Sequence, residues 1–165
     1  MTGRDCAIPA EREARDVANA GFVRPPFVYL AAILVGSALH IAWPLHFLPY
    51  GIAPLGAVLV AAAAALFVTS VRQFRAAGTP VPGDSPSTAV VDSGPYRFSR
   101  NPIYVAFSLL QLGIATLADS VWLLVTLVGA VAVMALVVIP REEHYMARKF
   151  GDRYLDYKRR VRRWA

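Results

Sequence analysis

The sequence predicts an all-α, multi-span helical membrane protein: about four transmembrane helices, followed by a C-terminal amphipathic helix lying in the interface. Three observations carry this. Hydrophobic residues make up 56% of the 165 residues, and they come in blocks, not at the amphipathic spacing of a soluble core. The basic residues that bring the net charge to +6 flank those blocks. Residues 141–165 carry an apolar stripe at three- and four-residue spacing, the pattern of a helix with one face in lipid.

Residues 1–26 are polar, carry both signs of charge and end at Pro25-Pro26, which reads as a cytoplasmic arm; Glu11, Glu13 and Asp16 argue against a transit peptide. The first span is expected at about 27–43, just long enough to cross the hydrocarbon. An uncharged turn from Pro44 follows, with Trp43 and Tyr50 as interfacial anchors. The second span, about 51–71, contains the run Ala61–Ala65, whose short side chains let helix backbones approach. Arg72 and Arg75 are expected to end it. The loop 72–100 is rich in turn signals, Thr79-Pro80, Pro82-Gly83 and Ser85-Pro86 among them, and Val90-Val91 could form a short extended piece. The third span runs from about 102 to 118, Asp119-Ser120 makes a tight turn, and the fourth runs from about 120 to 139 and stops at Pro140. Residues 27–165 thus form one membrane domain.

Arginine crowds the arm, the loop 72–100 and the tail, while the turns at 44–50 and 119–120 have none. The positive-inside rule then places both termini in the cytoplasm, at the plasma (inner) membrane if the chain is bacterial. Basic charge at the borders of apolar blocks points to the lipid bilayer and its anionic headgroups as partner, not to nucleic acid. One cysteine, Cys6, excludes an internal disulfide framework and a Cys-rich metal site. No dinucleotide fingerprint, His-Glu-x-x-His, nucleophile elbow or Walker sequence is present. His40 and His46 are six residues apart at the outer end of the first span and are expected to point in different directions, as core or interfacial histidines. His144, the third, is expected on the opposite side, and no metal site is expected.

The string Gly94–Tyr104, where the polar loop becomes an apolar run, is the most informative stretch. Gly94-Pro95 is a turn signal, and Asn101-Pro102 a helix start with Asn as N-cap and Pro at the first helical position. Arg100 then sits one residue outside the helix, with Tyr96 and Tyr104 at its level. A basic, tyrosine-rich membrane border would account for any one of these residues; the whole string beside Glu142-Glu143 asks for more. Tyr104, Ser108 and Gln111 share one helical face, as inter-helix hydrogen-bonding groups or as the wall of a lipid-tail tunnel. In the tail, Met146, Phe150, Tyr154, Tyr157, Val161 and Trp164 form the apolar stripe, and Gly151 is expected to interrupt the helix. That tail is either an anchor or a lid.

Gly-Pro-Tyr-Arg-x-x-Arg-Asn-Pro-x-Tyr, an apolar stretch, Glu142-Glu143, Phe150-Gly151 and Tyr154-x-x-Tyr157 together resemble the integral-membrane methyltransferases of the isoprenylcysteine carboxyl methyltransferase and phospholipid methyltransferase group, over roughly residues 70–165. Eukaryotic members of that group carry Arg-His-Pro where Arg100-Asn101-Pro102 stand here; a usual glycine is Ala106 and a usual leucine Met146. The resemblance implies S-adenosylmethionine as cofactor and an amphiphilic acceptor, lipid-like or prenylated, reached laterally from the bilayer. Isoprenylcysteine-type carboxylate O-methylation is the nominal activity; phospholipid amine N-methylation is the alternative, and a non-catalytic or haem-linked assembly protein on the same fold stands apart from both. It also implies site residues: Tyr96, Arg100, Asn101, Pro102, Tyr104, Glu142 and Glu143 around the cofactor, Arg100, Tyr104 and Glu143 in catalysis, and Ser108, Gln111 and Tyr154 toward the acceptor. The residue types suit the task. A carboxylate about 4 Å from a sulfonium or ammonium gains on the order of 4 kcal/mol before desolvation, and an arginine holds a carboxylate with two parallel hydrogen bonds. The glutamates could equally be a helix-start feature after Pro140.

Overall fold

The computed structural model describes residues 24–47, 52–79 and 88–164; the polar arm before Arg24, Cys6, Tyr50 and the turn signals from Pro80 to Pro86 lie outside them. Six α-helices are present among the described residues: α1 (Pro25–Ala42), α2 (Ala53–Ala76), α3 (Pro102–Leu117), α4 (Val121–Val133), α5 (Ile139–Phe150) and α6 (Asp152–Arg160). Among the described residues no strand forms, and an isolated parallel bridge links Ser99 to Arg162. Among the described residues three helices are long and apolar enough to cross a membrane: α1, α2 from Pro54, and the continuous helix Val121–Phe150 that contains α4 and α5. The fourth, α3, is shorter. The apolar part of the long helix ends at Ile139, so the charged residues from Arg141 onward stand beyond its membrane-spanning segment.

Ile41 is 83% exposed and Leu136 77% exposed, an outward display of apolar side chains that lipid, not water, would cover. Because lipid removes the hydrophobic drive between helices, close approach and hydrogen bonds must hold the bundle. Both are present. α2 packs along α3 and α1 along α4. The Tyr29 hydroxyl on α1 sits 2.8 Å from Ser108 Oγ and donates to the Tyr104 carbonyl at 3.3 Å on α3. Gln111 Nε2 on α3 donates to the Leu123 carbonyl and to Thr126 Oγ1 on α4, each at 3.2 Å. Ser108 and Gln111 therefore join helices.

Several boundaries differ from the expectations. α1 begins at Pro25, not two residues later, because proline in the first turn needs no intrahelical donor. α2 runs past Arg72 and Arg75 to Ala76: a charged residue ends an apolar span without ending a helix. Pro140 does not end the helix of the last span either. Met134–Val138 form a π-helical turn, with the Ile139 N–H bonding the Met134 carbonyl, and the helix continues through Pro140 to Phe150. The wide turn takes up the backbone disruption that a proline without an N–H would otherwise cause. Glu142 and Glu143 are consequently not in the first turn of a new helix cut off from the span. His40 and His46 do not point apart: their rings meet edge to face with centroids 5.6 Å apart, because α1 ends at Ala42 and the extended chain after Trp43 folds back. His46 Nδ1 also lies 3.2 Å from Asp119 Oδ2.

The tail is two helices and a strap, not one helix. At Gly151 φ is +52°, a left-handed conformation that glycine adopts without strain, and the chain breaks there between α5 and α6. After Arg160 it leaves the helix, and Arg162 and Arg163 run beside Ser99–Asn101. The expected apolar stripe packs inward: Tyr154 and Tyr157 are buried with Val90, against Met146, Phe150 and Val161, while Trp164 packs on the main core with Tyr29, Phe74, Tyr96 and Tyr104. Val90 and Val91 are buried but form no strand.

Candidate functional site

The string Gly94–Tyr104 forms the floor of the site, and its entry is set by backbone requirements. Gly94 has φ +57°, and a Cβ there would come within 2.9 Å of the Gln73 side chain, so both conformation and space call for glycine. Ser93 Oγ donates to Gln73 Oε1 at 2.7 Å, seating the turn on the end of α2. A 3-10 turn, Gly94–Arg97, then brings Tyr96 edge-on to Phe74, ring centroids 5.1 Å apart. Pro102 opens α3 and is fully buried. Asn101 holds the N-cap position, but its side chain does not cap. Its Nδ2 donates to the Arg163 carbonyl at 3.0 Å, and its N–H goes to Ser99 Oγ at 3.1 Å. The Arg100 N–H donates to the Arg162 carbonyl at 3.0 Å. The floor and the strap are thus stitched together by one backbone pair and the Asn101 amide.

Two adjacent glutamates on α5 face different partners. Glu142 Oε1 accepts from the Tyr104 hydroxyl at 2.6 Å, and among the described residues no other hydrogen bond or ion pair reaches Glu142. Burial pushes its carboxyl up to about 7; the Tyr104 hydrogen bond opposes this and the neighbouring Glu143 charge adds to it. Glu143, by contrast, is buried among cations. Its Oε1 lies 2.8 Å from Arg100 Nη1 and 3.1 Å from Arg163 Nε; its Oε2 lies 3.0 Å from Arg163 Nη2 and 3.1 Å from Lys158 Nζ. Burial alone would raise its carboxyl, but hydrogen bonds from Arg163 and Lys158 and the Arg100 charge outweigh it and hold the group below the usual carboxylate range.

Tyrosines close the sides. Tyr157 donates its hydroxyl to the Tyr96 carbonyl at 2.9 Å. Burial raises the phenols of Tyr96, Tyr154 and Tyr157, so all three stay neutral donors. Tyr154 is buried beside Arg100 and Glu143. The Tyr96 hydroxyl and Arg100 Nε are buried with no hydrogen-bond partner among the described residues. Such orphaned donors are costly unless a ligand meets them.

Of the residues singled out from sequence, Tyr96, Arg100, Asn101, Pro102, Tyr104, Glu142, Glu143 and Tyr154 come together here. Ser108 lies one turn deeper along α3, bonded to Tyr29, and Gln111 lies another turn on, bonded to α4. Lys158 and Arg163 were not anticipated, nor was the backbone pairing of the strap. On a single tail helix they read as a solvated basic face. No spacing rule marks Arg163, because it reaches Glu143 only after the chain has left α6. Among the described residues no group of three metal-ligating side chains converges.

A family model described as phospholipid methyltransferase matches residues 52–153. Over 75 residues the chain is 36% identical to a nickel-cobalt-cadmium resistance protein, NccN, of Alcaligenes xylosoxydans xylosoxydans, and 34% identical to a cobalt-zinc-cadmium resistance protein, CzcN, of Cupriavidus metallidurans. Each match spans 46% of this chain, and about a third of the relatives' own length, 35% and 34% respectively. No solved structure matches at a significant level.

Proposed function

This chain belongs to the phospholipid methyltransferase family, a family of membrane methyltransferases, and on that premise we propose that it transfers a methyl group from S-adenosylmethionine to an amphiphilic acceptor at the cytoplasmic membrane interface. The observation that carries the proposal is the pairing of Glu142, with one oxygen free, and two orphaned buried donors, Tyr96 Oη and Arg100 Nε, on one floor. These fit a ligand carrying both a cation and a carboxylate. Bound S-adenosylmethionine would supply a methyl on a sulfonium, together with an α-ammonium and a carboxylate.

Glu142 would face the positive charge, oriented by the Tyr104 hydroxyl. Ionising it beside a cation offsets the cost of its burial. Arg100 Nε and Tyr96 Oη would donate to a carboxylate. The tyrosine-lined wall from Tyr154 and Tyr157, covered by the strap, would keep water from the reacting atoms, and methyl transfer asks little beyond such exclusion and alignment. The domain would comprise residues 27–165, with both termini cytoplasmic. Metal resistance, named for the two relatives, supplies no chemistry that these residues address.

The nominal acceptor is an isoprenylcysteine-type carboxylate, which needs no base. A lipid amine is the second reading. It is favoured by one observation: Arg100 is already engaged by Glu143 at 2.8 Å, which leaves only part of its guanidinium for an acceptor's carboxylate. Calorimetry on the purified full chain in detergent tests the cofactor: one S-adenosylmethionine per chain is expected, and no binding refutes the reading. Turnover at saturating cofactor tests the acceptor. A carboxylate gives a nearly flat rate from about pH 6 to 8, whereas a protonated amine gives about a tenfold rise per unit.

A further inference from the structure

We propose that Arg163 is a positioning residue: by gripping both oxygens of Glu143 it fixes Arg100 in the floor and latches the strap Val161–Trp164 over the site, leaving Glu142 to meet the cofactor's cation. The inference rests on the function proposed above and divides the labour between two glutamates that the sequence leaves equivalent.

An ionised carboxylate has about four lone-pair positions. At Glu143 the Arg163 fork fills one position on each oxygen, and the charges of Arg100, 2.8 Å from Oε1, and Lys158, 3.1 Å from Oε2, crowd what is left. Three cations already surround this carboxylate, and they would repel an incoming ammonium. At Glu142 one hydrogen bond is made, from Tyr104. The cation-binding carboxylate is therefore Glu142, and Glu143 has a different task.

The geometry around Glu143 states that task. Arg163 supplies two of its four contacts, in the parallel fork that fixes both distance and angle. Arg163 is also where the strap meets the floor. Its carbonyl accepts from Asn101 Nδ2 at 3.0 Å and from Ser99 Oγ at 3.4 Å, and next to it the Arg162 carbonyl accepts the Arg100 N–H. One residue further, Trp164 packs on the core containing Tyr96 and Tyr104. The strap thus holds both ends of Arg100: its main chain through the Arg162 carbonyl, and its guanidinium through Glu143, which the Arg163 side chain grips. Three cations around one carboxylate would repel each other if Glu143 moved away, so the arrangement has a single well-defined position.

The test uses the full chain with Arg163→Gln and Arg163→Lys, each also made with Trp43→Phe and Trp122→Phe so that Trp164 is the remaining tryptophan. S-adenosylmethionine affinity by calorimetry should fall on the order of tenfold in Arg163→Gln, the scale of one lost charge-assisted bond, while the melting temperature in detergent stays near the parent's. Arg163→Lys, which keeps the charge but not the fork, should recover part of the affinity. Trp164 emission should shift to the red in Arg163→Gln as the strap lifts. Parental affinity in Arg163→Gln, or an unchanged Trp164 spectrum, overturns the proposal. If the parent chain itself binds no S-adenosylmethionine, the proposed function fails instead, and the Trp164 spectrum alone then decides whether Arg163 holds the strap.

Discussion

Cofactor affinity should depend on pH through one group, Glu142. Its carboxyl is pushed up to about 7 by burial, against an ordinary value of 4.5. Beside a cation the balance changes. A charge about 4 Å away, at an effective dielectric near 20, contributes on the order of 4 kcal/mol, equivalent to about three pKa units. The bound-state value therefore falls well below the free one. Between these two limits binding a cation releases a proton, so the dissociation constant rises about tenfold for each unit the pH drops below 7 and levels off above about 8. From pH 8 to pH 6 the expected weakening is about tenfold. The cofactor's own carboxylate does not titrate in this range; its α-amino group begins to lose its proton only toward pH 8, and does so equally in the parent and in Glu142→Gln. Calorimetry at pH 6, 7 and 8, in buffers of different ionisation enthalpy, reads the affinity and the released proton together. Glu142→Gln should remove the slope and bind S-adenosylmethionine about 1–3 kcal/mol more weakly than the parent at pH 8. A parent affinity that is flat from pH 6 to 8, or a slope that survives in Glu142→Gln, would refute the assignment. The sign for folding is the reverse: with the folded-state value raised, stability should fall as pH rises from about 4.5 through about 7 and stay level above.

Three further outcomes are expected. A reporter fused after Ala165 should behave as cytoplasmic and one inserted near Pro49 as external; the opposite pattern would put the site on the wrong face. Gly36→Ala places a methyl 2.6 Å from Thr126 Oγ1 and 3.1 Å from the Leu123 backbone where α1 crosses α4, and should cost about 1–3 kcal/mol by unfolding in detergent. Tyr29→Phe removes the α1–α3 hydrogen bonds to Ser108 and the Tyr104 carbonyl, and the same assay should show a loss of about 1 kcal/mol with cofactor affinity unchanged.

The helical class and the convergence on one floor were legible because they rest on short-range rules. Asn101-Pro102 starts a helix wherever it stands, and Gly94 demands a turn. The errors have a common cause in longer-range geometry. Pro140 reads as a stop only if the helix before it keeps its α register, and the π turn at Met134–Val138 removes that condition. His40 and His46 read as divergent only if the helix continues between them. Asn101 looked like a cap, yet its amide found a carbonyl 62 residues away. Lys158 and Arg163 were hidden because a basic residue on an amphipathic tail has an adequate explanation already, and only the fold shows which of them meets a buried acid.

The wide turn at Met134–Val138 is also a phase shifter. Upstream of it the helix answers to lipid and to α1; downstream it presents Glu142 to Tyr104 and Glu143 to the cations. A π turn holds one residue more than an α turn, and each residue rotates a helix by about 100° and advances it about 1.5 Å. The hydrophobic segment and the carboxylate pair can therefore be set at different angles without altering either sequence. A chain lacking one residue in this turn would keep the same apolar stripe, length and composition class, yet would swing the acids away from the floor. In this architecture a one-residue gap in the middle of an unremarkable run of valines and leucines changes the aim of the site as much as a substitution within it.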